Sequence, residues 1–327
     1  MKKIISFLLA AAVSASLFLN AQVEEGKFPA TSISNGTVTM KLYLPDKDKG
    51  SYRATRFDWS GIIYSLKWNG HEYFDYWKST HDPLFHEDLC GPVEGSITPG
   101  FGYTEAKPGE YFVRLGVGSI EKRNEKAYGA FETYKILDFG KWKVKQGPEW
   151  IEFRHTLKTK NGWGYVYTKR ISLKTAEPGF IIHHNLKNTG SKTMEFDQFN
   201  HNFFMIDGEL TGKNIKVEFP FNLSSESDLK DLVRLDGREV VFLKDFAANE
   251  NVFVELKGYG TSVSDHMATV TNTKSGAAIR LKVDKPLHRF AFWSCQTTQC
   301  PENFIWIKVE PGQMQEWNSD YTLFTTK

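Results

Sequence analysis

The sequence predicts an all-β protein, a large antiparallel β-sandwich, and three observations carry that prediction. Apolar and polar residues alternate with period two in one segment after another, the pattern of strands with a single buried face. Turn pairs rich in Gly, Pro and Asn separate those segments at short intervals. Beyond the leader, almost no stretch shows the 3.6-residue period of an amphipathic helix. The 327 residues are 14% aromatic, with 9 Trp and 25 Phe, which is ample material for a large apolar core. Three cysteines are too few to stand in for one.

The first element is a leader. "MKKIISFLLAAAVSASLFLNA" has two lysines, an apolar run and a small residue before a polar stretch, the form of a secretory signal peptide. The cut is expected after Ala21, which leaves 22–327 as one sandwich domain. No cysteine follows the cut to take a lipid, and no later apolar run is long enough for a bilayer. A periplasmic or secreted chain without a membrane anchor is therefore expected. Charge agrees: 41 Lys+Arg against 39 Asp+Glu offers no basic surface for nucleic acid and no reason for an acidic or membrane partner.

The strands follow in order. "TVTMKLYLP" (37–45) is the first clear alternation. Residues 77–108, rich in His, Asp, Gly and Pro, alternate little and are expected to form loops over a cleft. "WIEFRHTLK" (150–158), "YVYTKRISLK" (165–174) and "FIIHHNLKN" (180–188) are joined at Asn161-Gly162 and Pro178-Gly179. "EVVFLKDF" (239–246), entered from Asp236-Gly237, leads to "VFVELKGY" (252–259). "AIRLKV" (278–283), "RFAFW" (289–293) and "FIWIKV" (304–309) complete the set, with turns at Ser275-Gly276 and Pro311-Gly312.

Chemistry is sparser. There is no nucleophile elbow, phosphate loop or dinucleotide fingerprint. "HDPLFHEDLC" gathers His81, Asp82, His86, Glu87, Asp88 and Cys90, but at no recognised metal spacing. It reads as a polar loop, with His86 kept as a candidate cleft residue; neither metal nor cofactor is expected. His183 and His184 are strand neighbours facing opposite ways, and both are read as structural. Arg56 and Asp58, in "RATRFDWSG", are expected two apart on one strand face, as sugar-hydroxyl ligands or as an ion pair with each other. Trp59 beside them is a stacking platform or plain core. In "FDQFNHNFFMIDGE" (196–209), His201 stands between Asn200 and Asn202. It is either an acid–base group or a satisfied histidine of the sheet.

The order of the motifs resembles the galactose mutarotase-like (aldose 1-epimerase) family over nearly the whole chain after the leader. "WSGIIYSLKWNGHEYF" (59–74), "CGPVEGS" (90–96), "IIHHNLKNTG" (181–190), "NHNFFMIDG" (200–208), "SGAAIRLKVDKPLHRFAFW" (275–293) and "VEPGQMQEWNSDYTLF" (309–324) fall in the family's sequence of pieces. The resemblance implies a supersandwich with a sugar cleft on one concave face. It also implies that His201 donates a proton to the ring oxygen of a hexopyranose while a carboxylate takes the proton of the anomeric hydroxyl. Several family positions differ. Gln296 stands where the base glutamate is expected, and a carboxamide can only hydrogen-bond. Gly95-Ser96 replaces the sugar-binding Gly-Arg, the His-Gly-Gly histidine has no counterpart, and Asn251-Val252 replaces an Asp-His pair.

The catalytic candidates are therefore His201 and, as a relocated base in the Gly-Pro loop, Glu94. Arg56, Asp58, Asn200 and Gln296 are the candidates for binding the sugar, a mono- or oligosaccharide. The resemblance also brings Cys90 and the Cys295/Cys300 segment to the cleft. One of the later two is expected to form a disulfide, with its neighbour or with Cys90. Three functions remain: an anomer-interconverting epimerase, a non-catalytic carbohydrate-binding protein, and a lyase or hydrolase on the same scaffold, the last requiring two facing carboxylates.

Overall fold

The structure is a computed structural model that describes residues 26–326; the leader lies outside the described residues. Every strand pair in it is antiparallel. The largest sheet has ten strands. Six of them run in order to one edge: Ala277–Val283, Met314–Thr325, Gly179–Asn188, Gly164–Leu173, Trp150–Lys158 and, at the edge, Lys141–Gln146. Facing it is a five-stranded sheet in the order Asn251–Leu256, Leu287–Cys295, Thr298–Val309, Met194–His201 and Val93–Gly95. A four-stranded meander from Ala30 to Glu72 and a three-stranded one from Tyr111 to Asp138 flank them.

Alternation makes the central strands what they are. Along Gly164–Leu173, Tyr165, Tyr167, Lys169, Ile171 and Leu173 are buried while the residues between them are partly exposed. Burial of one such face holds the sheet against its partner at about 25 cal/mol per Å² of apolar surface. Sharp turns close the hairpins. Gly179 has φ +145, and a Cβ there would meet the Tyr321 carbonyl oxygen at 2.1 Å, so only glycine fits.

The strand Thr298–Val309 begins well before the alternation at residue 304 suggests, because its first half is buried on both faces. Met194–His201 is likewise buried almost throughout. One face of each packs into the sandwich. The other is covered by the irregular chain around 43–139, which builds a second apolar cluster from Tyr52, Phe57, Trp59, Phe199, Phe203, Ala291, Cys300 and Phe304. Trp59 is core here, 1% exposed. Residues 77–108 are irregular except for Val93–Gly95, as their composition predicts, and they belong to this cover.

All three cysteines are free thiols, which corrects the expected disulfide. Cys295 pairs with Thr298 and Cys300 with Trp293 across the hairpin, so the two cysteines are diagonal neighbours. Diagonal Cα atoms lie about 7–8 Å apart, beyond the usual disulfide range.

Candidate active site

Met194–His201 distributes the candidates by parity, since successive side chains of a strand point to opposite faces. Asn200 and Gln198 face the ten-stranded sheet, where Asn200 Oδ1 accepts from Ser319 at 3.2 Å. His201 and Phe199 face the covering chain. The structure thereby divides the expected site residues into two groups.

His201 is 4% exposed, with its ring stacked on Phe203 at 3.9 Å and edge-on to Phe57 and Trp293. Its Nε2 lies 3.2 Å from Oε1 of Glu302, which is also 4% exposed. Register explains the meeting. Gln198 pairs with Ile305 and Phe204 with Gln299, so the same register on both sides of Pro301 sets His201 opposite Glu302. Burial pushes the Glu302 pKa up to about 8, with Arg56 and Arg289 pulling the other way. Burial also drives His201 well below the ordinary histidine value, and Arg56 adds to that. At neutral pH the carboxyl is therefore protonated and the imidazole uncharged. The two side chains approach without hydrogen-bond geometry, and Nδ1, on the other side of the ring, is buried with no hydrogen-bond partner. An unpaired buried polar atom costs free energy and calls for an explanation.

Arg56 closes this group from the loop side. Its guanidinium is sandwiched between Phe57 and Phe131, each at 4.6 Å, and Nη1 is 3.4 Å from Glu87 Oε2 and 3.3 Å from His86 Nδ1. The Arg56–Asp58 ion pair is not formed, and the two residues lie in a loop rather than on a strand. Around them, His81 bonds Asp88 at 2.9 Å and the Ser51 carbonyl at 2.8 Å, so the polar loop satisfies itself. Among the described residues, no three His, Cys, Asp or Glu side chains come together as a metal site would require.

The second group lies on the other side of the strand. Glu94 contacts Lys169 Nζ, and its Oε1 accepts from His184 Nε2 at 3.0 Å and from Asn200 Nδ2 at 3.1 Å. Lys169, fully buried, also lies 3.6 Å from Asp58 and donates to the Ser60 carbonyl at 2.6 Å. Desolvation raises the Glu94 pKa, but Lys169 and His184 outweigh it and bring it down to about 2. For Asp58 desolvation wins over Lys169, and its pKa rises to about 6. Gly116, at φ +72, gives Asp58 its space: a Cβ there would sit 2.4 Å from Oδ1. Arg56, Asp58 and Glu94 border a small hollow of about 30 Å³, walled by Phe101, Tyr167 and Trp317.

Glu94 therefore does not face His201. It is an ionised anchor held from three sides. Gln296 is half-buried in the hairpin turn, where its carbonyl accepts from the Thr211 N–H at 2.8 Å. Glu302 is the carboxyl that the sequence reading missed. The available signal was register: counting back from the alternating 304–309 stretch sets residue 302 on the face of Phe304, opposite His201.

No family model matches the sequence, and no curated protein matches it. Solved structures do. A galactose mutarotase-like protein from Clostridium acetobutylicum is 10% identical with a TM-score of 0.55, over 91% of this chain and 95% of that one. One from Lactobacillus casei is 13% identical with a TM-score of 0.52, over 90% and 100%. An aldose epimerase homologue from C. elegans is 12% identical with a TM-score of 0.55, over 91% and 99%. At such identities the likeness is one of architecture, and it agrees with the antiparallel sheets described above. The chain has the galactose mutarotase-like fold.

Proposed function

We propose that the chain is an exported carbohydrate-active protein of aldose 1-epimerase type, in which Glu302 and His201 exchange protons with a bound sugar. The observation that carries this reading is the His201–Glu302 pair, an imidazole and a carboxyl in contact on neighbouring strands beside Arg56. Their protonation states set the roles. The protonated Glu302 gives its proton to the ring oxygen, and neutral His201 takes the proton of the anomeric hydroxyl. The bond between C1 and the ring oxygen breaks, leaving an open-chain aldehyde. Rotation about C1–C2 and reclosure return both protons and yield the other anomer. This reverses the role that the resemblance implies for His201, because burial disfavours the charged imidazole an acid would need. Proton transfer of this kind typically contributes about 10²–10⁴-fold. Export rests on the leader sequence alone.

One observation favours a second reading, carbohydrate binding without catalysis. At 3.2 Å, His201 and Glu302 touch, and a pyranose ring fits between them only if they part. NMR exchange of anomers over several hexoses separates the readings. The epimerase reading expects exchange that falls at least a hundredfold in His201→Ala and in Glu302→Gln. Saccharide binding by calorimetry, without exchange above the buffer rate, selects the binding protein.

A further inference from the structure

We infer that the solvent-facing side of the ten-stranded sheet carries a separate binding surface, a basic track along its Lys141–Gln146 edge that takes a linear acidic polysaccharide. The choice of a polysaccharide rests on the carbohydrate reading; the track itself does not. It lies on the far side of the ten-stranded sheet from the five-stranded sheet that bears His201 and Glu302. Register lays it out. Lys141, Lys143 and Lys145 pair with Thr156, Arg154 and Glu152 of the next strand. Residues directly opposite share a face, and alternate residues of a strand do too, so Lys141, Lys143, Lys145, Arg154 and Lys158 all point one way. That way is outward: all five are exposed, whereas Phe153, His155 and Leu157 between them are buried. The row spans six strand residues, about 20 Å, with a cation about every 7 Å.

Total charge hides this face. Outside the leader, with its Lys2 and Lys3, Lys+Arg and Asp+Glu balance at 39 each. The balance is not local. Among the described residues, Glu152 is the one acidic side chain that points outward from the four strands nearest this edge, and Arg170 engages it at 3.6 Å. None of the five track cations has an ion-pair partner among the described residues. Lys143 and Arg154 stand directly opposite each other, where like charges repel. Lysines on an edge strand guard against edge-to-edge pairing, and that accounts for three of the five. It does not account for Arg154 and Lys158, whose strand is paired on both sides. A row of like charges weakens the fold, and an anion laid along it relieves the repulsion.

Shape selects a chain. Inward from the track, Lys187 stands apart, and Glu316 follows on the fifth strand from the edge. The cations therefore form a line and not a disc, which fits one extended polyanion better than a membrane surface. The track also lacks the apolar anchors a membrane takes. The Arg170 guanidinium covers the Trp150 ring at 3.8 Å, and Trp142 stacks inward on His155 at 4.1 Å. The same two contacts leave no free ring on which nucleic-acid bases stack. What the track does offer suits an acidic sugar. Arg154 has a fork of donors for a carboxylate. Thr156 and Thr168, half-buried beside the cations, present hydroxyls without side-chain partners to the hydroxyls of sugar rings.

The test is native electrophoresis in gels containing polygalacturonate, dextran or neither, at low and high salt. Wild type is expected to be retarded by polygalacturonate and not by dextran, and the retardation to fall steeply as salt rises. The triple variant Lys141→Gln, Lys143→Gln, Arg154→Gln is expected to bind about tenfold more weakly, the product of three losses of the size usual for exposed ion pairs. It should fold at least as stably as wild type, since the Lys143–Arg154 repulsion is gone. A control triple variant, Lys49→Gln, Lys67→Gln, Lys213→Gln, removes the same charge at exposed positions elsewhere and is expected to keep wild-type retardation. Equal loss in the control, equal retardation by dextran, or indifference to the first variant overturns the track. Tighter binding of duplex DNA or of phosphatidylglycerol vesicles assigns the face to another polyanion and overturns the polysaccharide. Anomer exchange is scored apart: exchange without polygalacturonate binding overturns the track alone, and the reverse overturns the epimerase reading while the track stands.

Discussion

Glu94 and Glu302 are two buried carboxyl groups on opposite sides of one strand, and their states are opposite. Glu94 sits against the Lys169 ammonium and accepts from His184 and Asn200, so it stays ionised with a pKa near 2. Glu302 is as deeply buried, but its contact is a histidine that is itself uncharged, and its pKa climbs to about 8. Burial alone thus decides nothing about charge; the nearest cation does. The interior group is an ionic anchor that fixes the Gly-Pro loop and the loop bearing Asp58 to the ten-stranded sheet. The outward pair is an uncharged contact between two titratable groups. A site needs both, one to hold geometry and one to change protonation.

Removing the cation from the anchor gives the largest expected effect. Lys169→Met leaves Asp58 and Glu94 buried with no balancing charge, and loss of one partner from such a cluster typically costs about 3–5 kcal/mol. Denaturant unfolding at pH 7 measures it. A loss below about 1 kcal/mol would mean that water already screens the cluster.

The pH dependence sharpens the contrast, because the two carboxyls work in opposite directions. Glu94 has a folded pKa below the ordinary 4.5, so its contribution is present above that value and is lost as pH falls toward 2. Glu302 has a folded pKa above 4.5, so its contribution is complete below 4.5 and fades as pH rises to about 8. Glu302→Gln should therefore lose less stability than wild type between pH 5 and 9. The difference is on the order of a few kcal/mol. His201 confuses the lower part of that window, since its depressed pKa makes wild type lose stability below pH 6.5. The comparison is cleanest above pH 7. Parallel stability curves there for wild type and variant would falsify the neutral state of Glu302.

Much of the architecture was legible in the sequence, because one buried face writes alternation directly into the residues. The strand Trp150–Lys158 has the same bounds as the alternating segment 150–158. What stayed hidden has the opposite cause. Thr298–Asn303 is covered on both faces, so it does not alternate, and Pro301 argues against a central strand. Glu302 was lost there, although "NHNFF" marked its partner. Arg56 and Asp58 were seen as residues but misplaced, since a loop has no parity from which to infer a shared face. The Glu94–Lys169 contact joins positions 75 apart, and nothing local in either segment announces it.

The smallest effect tests whether the rim of the site behaves like its interior. Glu87 contacts Arg56 at 3.4 Å and Lys78 at 3.9 Å, and its side chain is 27% exposed. Water competes for that carboxylate, while two aromatic rings already hold the guanidinium. Glu87→Gln should then cost at most about 0.5 kcal/mol, the usual worth of a partly exposed ion pair, and less in high salt. Glu94→Gln, measured beside it, should cost several times more with little response to salt, because its cation is enclosed. Equal losses would show that Arg56 depends on Glu87 for its charge balance. The boundary between a rigid ionic interior and an adjustable rim would then run through Arg56 itself, and Glu87 would belong with the anchor.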